Sequence, residues 1–223
     1  MRAKGFIFDF NGTMFQDTIL HEEAWKLYFK EIFNKDLTAE QFRNNILAKP
    51  NELIIEYATG RKATKEEIEH CNFTKESMYR DMCKQNPDMV KLADGLTEYL
   101  DYLKANSLPM AIATSSERTN VDFYIETFDL YRWFTDETII YHDGSFRGKP
   151  HPDIYEKAAK TIGVDPSLCV VFEDAALGIV SARAAGVKKI VAVAKREYPL
   201  DFLEKENPDL IIYDFVGIID KNI

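Results

Sequence analysis

Five short apolar runs constrain this chain most. They read GFIFDF (5–10), PMAIAT (109–114), CVVFED (169–174), KIVAVA (189–194) and DLIIYD (209–214). Each is apolar at consecutive positions rather than alternate ones, the pattern of a strand buried on both faces of a parallel sheet. Helical patterns lie between most of them. GLTEYLDYLKANS precedes the second run, DIYEKAAKTIG precedes the third, and GIVSARAAGV follows the third, with Gly186 as the expected helix stop. Strands alternating with helices imply an α/β fold with a doubly wound parallel sheet. Ligands gather at the carboxyl ends of the strands in such a sheet.

Residues 16 to 90 break the alternation. They contain amphipathic helical stretches, HEEAWKLYFKEIF and KEEIEHCNFTKESMYRDMC, and no strand-like run. The expected organisation is an α/β core from residues 1–15 and 91–223, interrupted by a helical insertion over 16–90. Trp25 and Phe29 stand four apart on one helix face and read as core packing. Composition narrows the function classes. The net charge is -9, from 28 basic and 37 acidic side chains. That argues against a nucleic-acid partner, which needs clustered Lys and Arg. No apolar run approaches the ~20 residues of a membrane span, and the start shows no leader-peptide pattern. Cys71, Cys83 and Cys169 are odd in number and lack metal-ligand spacing, so they read as reduced thiols of a cytoplasmic protein. Nothing in the sequence demands more than a monomer.

Polar residues recur where the runs end. Asp9, Asn11, Gly12 and Thr13 end the first, and Thr114, Ser115 and Ser116 end the second. Glu173 and Asp174 end the third, and Lys149 sits in GKPHPD, a loop before a helix. Each group has an ordinary explanation. Asp, Asn, Gly and Thr form turns, and Thr-Ser-Ser caps helices. An Asp or Glu at a helix start suits the dipole, and a lone lysine in a Gly-Pro loop is a surface charge. Their joint occurrence in order, at the ends of strands that a parallel sheet would align, is what these explanations leave over.

With those motifs in hand, the chain resembles the haloacid dehalogenase (HAD)-like phosphohydrolases, in the subfamily that contains β-phosphoglucomutase. DFNGT, the ATSS strand end, GKPHPD and VFEDA match the four family motifs, and the helical insertion matches the family's small cap. The resemblance spans essentially the whole chain. It implies a nucleophilic Asp9 that forms an aspartyl-phosphate, a known use of carboxylates. It implies Mg²⁺ as cofactor, held by carboxylate oxygens of Asp9 and Asp174 and by the main-chain carbonyl of Asn11, with Glu173 orienting a metal-bound water. Lys149 is then expected to neutralise charge between Asp9 and the phosphate. Thr114, through its hydroxyl, and Ser115, through its N–H, are expected to hold phosphoryl oxygens. Gly12 lets the backbone approach them closely. In the cap, His21 matches a histidine near the substrate and Lys75 is similar to a lysine of the mutase relatives. His21 also reads as a helix-start histidine, and Lys75 as a surface lysine. His70 and His142 read as surface residues.

Two departures bear on activity. The mutase relatives grip a second phosphate with a cap arginine, and the corresponding stretch here is LAKPNEL, with Lys49 as the nearest cation. More important, the family pattern is D-x-D, and its second Asp works as general acid and base. Asn11 stands at that catalytic position, and an amide cannot transfer the proton, a function worth ~10²–10⁴-fold in rate. Asn11 has four readings: a slow natural variant using another base, with His21 as the candidate; a binding protein without turnover; a deliberate substitution; or a deamidation-prone Asn-Gly pair. The leading expectation is a Mg²⁺-dependent phosphatase acting on a small phosphorylated metabolite, a sugar phosphate. A phosphosugar mutase, a phosphometabolite-binding protein and a phosphonate hydrolase stand as alternatives. The last would need a Schiff-base lysine, for which Lys26 is the nearest.

Overall fold

The computed structural model describes residues 3–47, 49–196, 200 and 204–221. Two compact units make up the chain, Met1–Gln16 with Lys91–Ile223, and Asp17–Val90.

The first unit is built on a six-stranded sheet. Its strands are β1 (Gly5–Phe8), β2 (Met110–Ala113), β3 (Ile139–Ile140), β4 (Cys169–Glu173), β5 (Lys189–Val193) and β6 (Leu210–Ile212). All neighbours pair in parallel, in the order β3-β2-β1-β4-β5-β6. Five of the strands fall on the five apolar runs. The sixth, β3, is a correction to the sequence reading. Two residues, Ile139 and Ile140, are enough to extend the sheet because Ile112 and Ala113 supply the partner edge.

β1 shows why its run is apolar throughout. Phe6 and Phe8 face one layer, where their rings meet Tyr99 at 6.1 and 6.3 Å. Tyr99 lies on the helix Leu96–Ala105. Phe8 also stacks on Phe172 of β4 at 4.7 Å. Ile7 between them joins the opposite cluster with Ala111, Val171, Ile190 and the helical residues Ile154, Tyr155, Ile179 and Ala182. Both faces of the sheet are thus covered, as a parallel sheet requires. The chain crosses from β3 on one side of β1 to β4 on the other. The order therefore reverses next to β1, and the crevice at the carboxyl ends of β1 and β4 is the expected ligand site.

The second unit is helical: α1 (Thr18–Phe33), α2 (Ala39–Asn45), α3 (Asn51–Thr59) and α4 (Lys65–Gln85). Thr38 and Thr64 start α2 and α4 with capping boxes, closed by Gln41 and Glu67. Trp25 and Phe29 lie in its core with Tyr28, Phe42, Ile54, Ile55 and Cys71. Among the described residues no helix is long and apolar enough to cross a membrane.

Candidate active site

The carboxylates converge because their strands do. Asp9 follows β1, and its N–H donates to Phe172 O of β4 at 2.9 Å. Glu173 ends β4 and Asp174 follows it. Ligand oxygens of Asp9, Glu173 and Asp174 all lie within 4.8 Å of one another. Bare, such a cluster repels itself, and two lysines answer the charge. Lys149 Nζ lies 2.6 Å from Asp9 Oδ1 and also donates to Glu173 Oε1. Lys195 Nζ lies 2.6 Å from Asp174 Oδ2. Lys149 is not the surface charge that its loop taken alone would suggest: its side chain is 9% exposed, with Asp9 and Glu173 as partners.

Burial pushes the Asp9 carboxyl well above the ordinary value; Lys149 opposes this, while Glu173 and Asp174 add to it. Asp174 is raised for the same first reason, with Lys195 opposing. Burial disfavours the Lys149 charge, but Asp9 and Glu173 outweigh it and hold its pKa well above the usual value. The group is short of positive charge. Three hard oxygen donors, with no Cys or His among them, suit a hard divalent cation such as Mg²⁺ better than a soft metal.

Glu173 is the most tightly held of the three. Tyr155 OH donates to Oε1 at 3.1 Å and Ala175 N donates to Oε2 at 2.7 Å. Gly178, one turn on, is glycine because a Cβ there would overlap the Glu173 carboxylate. Gly12 meets the same kind of demand. It has φ +80°, its N–H donates to Phe15 O at 2.6 Å, and a Cβ would run into the Asp174 carboxylate.

Asn11 is fixed by side chains from far along the chain. Ser116 Oγ donates to its Oδ1 at 2.8 Å, and its Nδ2 donates to Tyr124 OH at 2.8 Å. Thr114 is buried after β2, where its N–H donates to Ile140 O at 2.9 Å. Its hydroxyl oxygen accepts from Ser116 N at 3.1 Å, which leaves the hydroxyl proton to donate. Ser115 between them is exposed. The Thr-Ser-Ser stretch does not cap the following helix, Arg118–Phe128, whose N-cap is Glu117. The sequence reading missed Tyr124, Tyr155 and Lys195, and gave Ser116 no role beyond the strand end. A tyrosine at helical spacing and a lysine after an apolar run carry no local signal of this kind.

His21 and Lys75 lie in the helical unit and meet there. Lys75 Nζ donates to His21 Nδ1 at 2.9 Å and lies 2.6 Å from Glu76 Oε1. Lys75 is 4% exposed, with Trp25 and Tyr79 rings 5.3 and 5.7 Å from its ammonium, so its surface reading is also corrected. Aromatic rings cover its stem while polar partners satisfy its head. With Nδ1 accepting, the His21 proton is on Nε2, 3.3 Å from the buried Asp17 Oδ2. The same oxygen accepts from Tyr79 OH at 2.5 Å. His21 also stacks on Tyr79 at 3.9 Å. Both ring nitrogens are engaged, which leaves little room for His21 as a replacement base. Lys26 pairs with Glu22 and Glu23 at 2.9 and 2.7 Å. Their hydrogen bonds raise its pKa, the wrong direction for a Schiff-base lysine. His70 is exposed, as read, but His142 is half-buried beside Phe146.

Residues 6–192 match the sequence model of the haloacid dehalogenase-like hydrolases. The chain belongs to this family. Within it, the chain is a phosphatase of the β-phosphoglucomutase-like branch. Protein CbbY of Rhodobacter capsulatus is 30% identical over 213 residues, covering 91% of this chain and 90% of that protein. The phosphorylated carbohydrates phosphatase of Thermotoga maritima is 26% identical over 191 residues, covering 84% and 83%. A crystal structure of a HAD hydrolase, family IA, variant 3, from Entamoeba histolytica superposes with a TM-score of 0.90 at 35% identity, covering 100% of this chain and 97% of that one.

Proposed function

We propose that this HAD phosphatase is Mg²⁺-dependent and removes phosphate from a small phosphorylated sugar through an aspartyl-phosphate on Asp9. The observation that carries this reading is the Asp9–Glu173–Asp174 group at the sheet's switch point, with Asp9 and Glu173 buried and Lys149 joining them. The Thermotoga relative, whose name gives phosphorylated carbohydrates as its substrates, supports the sugar.

Asp9 and Asp174 are assigned as carboxylate ligands of the cation, the Asn11 carbonyl as a main-chain ligand, and Glu173 as the group that orients its water. Bound Mg²⁺ would offset the negative charge of carboxylate and phosphate and polarise the phosphoryl group. Asp9 attacks phosphorus in line with the sugar oxygen, the P–O bond to the sugar breaks, and the sugar oxygen takes a proton from water. Water then attacks the phosphorus of the aspartyl-phosphate and restores the carboxylate. Lys149 spreads the charge of both transition states, while Thr114 Oγ1, Ser115 N–H and the Gly12 backbone hold the phosphoryl oxygens. Asn11 has no proton to give as an acid, so both steps lean on solvent and turnover is slow. His21 and Lys75, expected near the substrate, are assigned instead to a hydrogen-bonded pair inside the helical unit, where both His21 nitrogens and the Lys75 ammonium already have partners.

A panel of sugar phosphates with and without Mg²⁺, run on this chain and on Asn11→Asp, tests the reading. Phosphate release should depend on Mg²⁺ in both proteins and be faster in the variant. Background rates in both would refute it.

A further inference from the structure

Lys195 enters the site without any motif to announce it. It follows β5 at the same sheet edge as the carboxylates, and its Nζ is 2.6 Å from Asp174 Oδ2, with side chains 14% and 12% exposed. A Cβ on Gly12 would come within 2.8 Å of that Nζ. The ammonium, the Asp174 carboxylate and the Gly12 backbone therefore meet at one point. Lys149 already serves Asp9 and Glu173, so three carboxylates share two ammonium groups.

The Asp174 carboxylate, whose ligand oxygen lies within 4.8 Å of those of Asp9 and Glu173, is also one that a divalent cation would take. An ammonium and a doubly charged ion cannot both sit at bonding distance from one carboxylate oxygen without strong mutual repulsion in a buried setting. We propose that Lys195 is a resident competitor for the divalent cation: it holds Asp174 in the metal-free protein and must be displaced for the cation to bind. The proposal rests on reading the carboxylate group as a divalent-cation site. It makes the site stable when empty, at the expense of affinity. The ammonium, once displaced, remains beside the Gly12 backbone and adds a second cation to the phosphate-binding edge.

Calorimetric titration of Mg²⁺ into the intact chain, without substrate, tests this. Lys195→Met should bind Mg²⁺ about ten- to a hundredfold more tightly, the worth of the charge-assisted hydrogen bond no longer broken. Lys195→Arg should stay within about threefold of the unmodified protein. Lys157→Met removes the same charge from an exposed lysine that pairs with Asp143 at 3.4 Å; it should also shift affinity by less than about threefold, since exposed charges are screened. Unchanged or weaker binding by Lys195→Met, or an equal gain in either control, overturns the proposal. If neither the unmodified protein nor Lys195→Met binds Mg²⁺, the metal-site reading falls and this inference with it. If both bind equally, only the inference falls. Should Lys195→Met fail to fold, amine labelling of the unmodified protein decides. Mg²⁺ should raise the labelling rate of Lys195 several-fold and leave Lys157 unchanged, and a constant Lys195 rate refutes displacement.

Discussion

Replacing Asn11 by Asp should accelerate the enzyme while costing the fold little. The two side chains share a shape, and the surroundings can serve either. Ser116 Oγ already donates to Oδ1 at 2.8 Å, and that bond survives. The Tyr124 hydroxyl now accepts from Nδ2 at 2.8 Å; rotated, it donates to the second carboxylate oxygen instead. Two bonds are kept and gain charge assistance, which opposes the repulsion a new carboxylate meets from the acidic group, so folding free energy should change by no more than about 1 kcal/mol. The chemistry changes far more. Position 11 gains a group able to protonate the leaving oxygen and to take a proton from water, worth ~10²–10⁴-fold, or about 2.7–5.4 kcal/mol off the barrier. The assay is steady-state hydrolysis of the best sugar phosphate at saturating Mg²⁺, alongside urea unfolding. A rise in kcat of that size with a nearly unchanged unfolding midpoint is expected. An unchanged or lower kcat in a stably folded variant would refute the view that position 11 lacks only its proton shuttle.

Other outcomes follow from the same geometry. The Asn11–Gly12 bond should resist deamidation in the native protein: the Gly12 N–H is committed to Phe15 O, and the amide is held by Ser116 and Tyr124. Intact mass should stay constant at mildly alkaline pH and drift upward only when urea frees the loop; equal rates in both states would refute the protection. Burial pushes the Cys71, Cys83 and Cys169 thiols up to about 11, 12 and 11. They should therefore react slowly with a disulfide reagent until the protein unfolds. The same shifts carry a pH dependence. From about pH 9 upward the unfolded thiols ionise while the native ones stay protonated, so the urea midpoint should fall as pH rises toward 11. A flat midpoint over that window would contradict the burial argument.

Much of the core was legible because burial writes itself into the chain. GFIFDF reads as a strand covered on both faces, and Phe6, Ile7 and Phe8 are divided between two packed layers. Asp9, Glu173 and Asp174 were legible because strand ends are aligned by any parallel sheet. What was not legible depends on convergence rather than pattern. β3 is two residues long, too short for any periodicity. Tyr124 lies 113 residues from the Asn11 amide it accepts, and nothing near either one advertises the other. Lys195 reads as the polar end of an apolar run, and only the fold brings it to Asp174. His21 and Lys75 were each ambiguous alone. Their meeting, and the burial of Lys75 between aromatic rings, depends on how α1 and α4 pack within the helical unit.

The most direct test of the account is whether a phosphoryl group passes through Asp9. Substrate, Mg²⁺ and protein can be mixed, quenched in acid within a turnover, and mapped by peptide mass. Asn11 slows formation and hydrolysis of the intermediate alike, so a phosphoryl group should be trapped on the peptide containing Asp9 in both the unmodified protein and Asn11→Asp, and none in Asp9→Asn. Phosphate release with no phosphoryl mass on that peptide at any quench time, or undiminished turnover in Asp9→Asn, would contradict it.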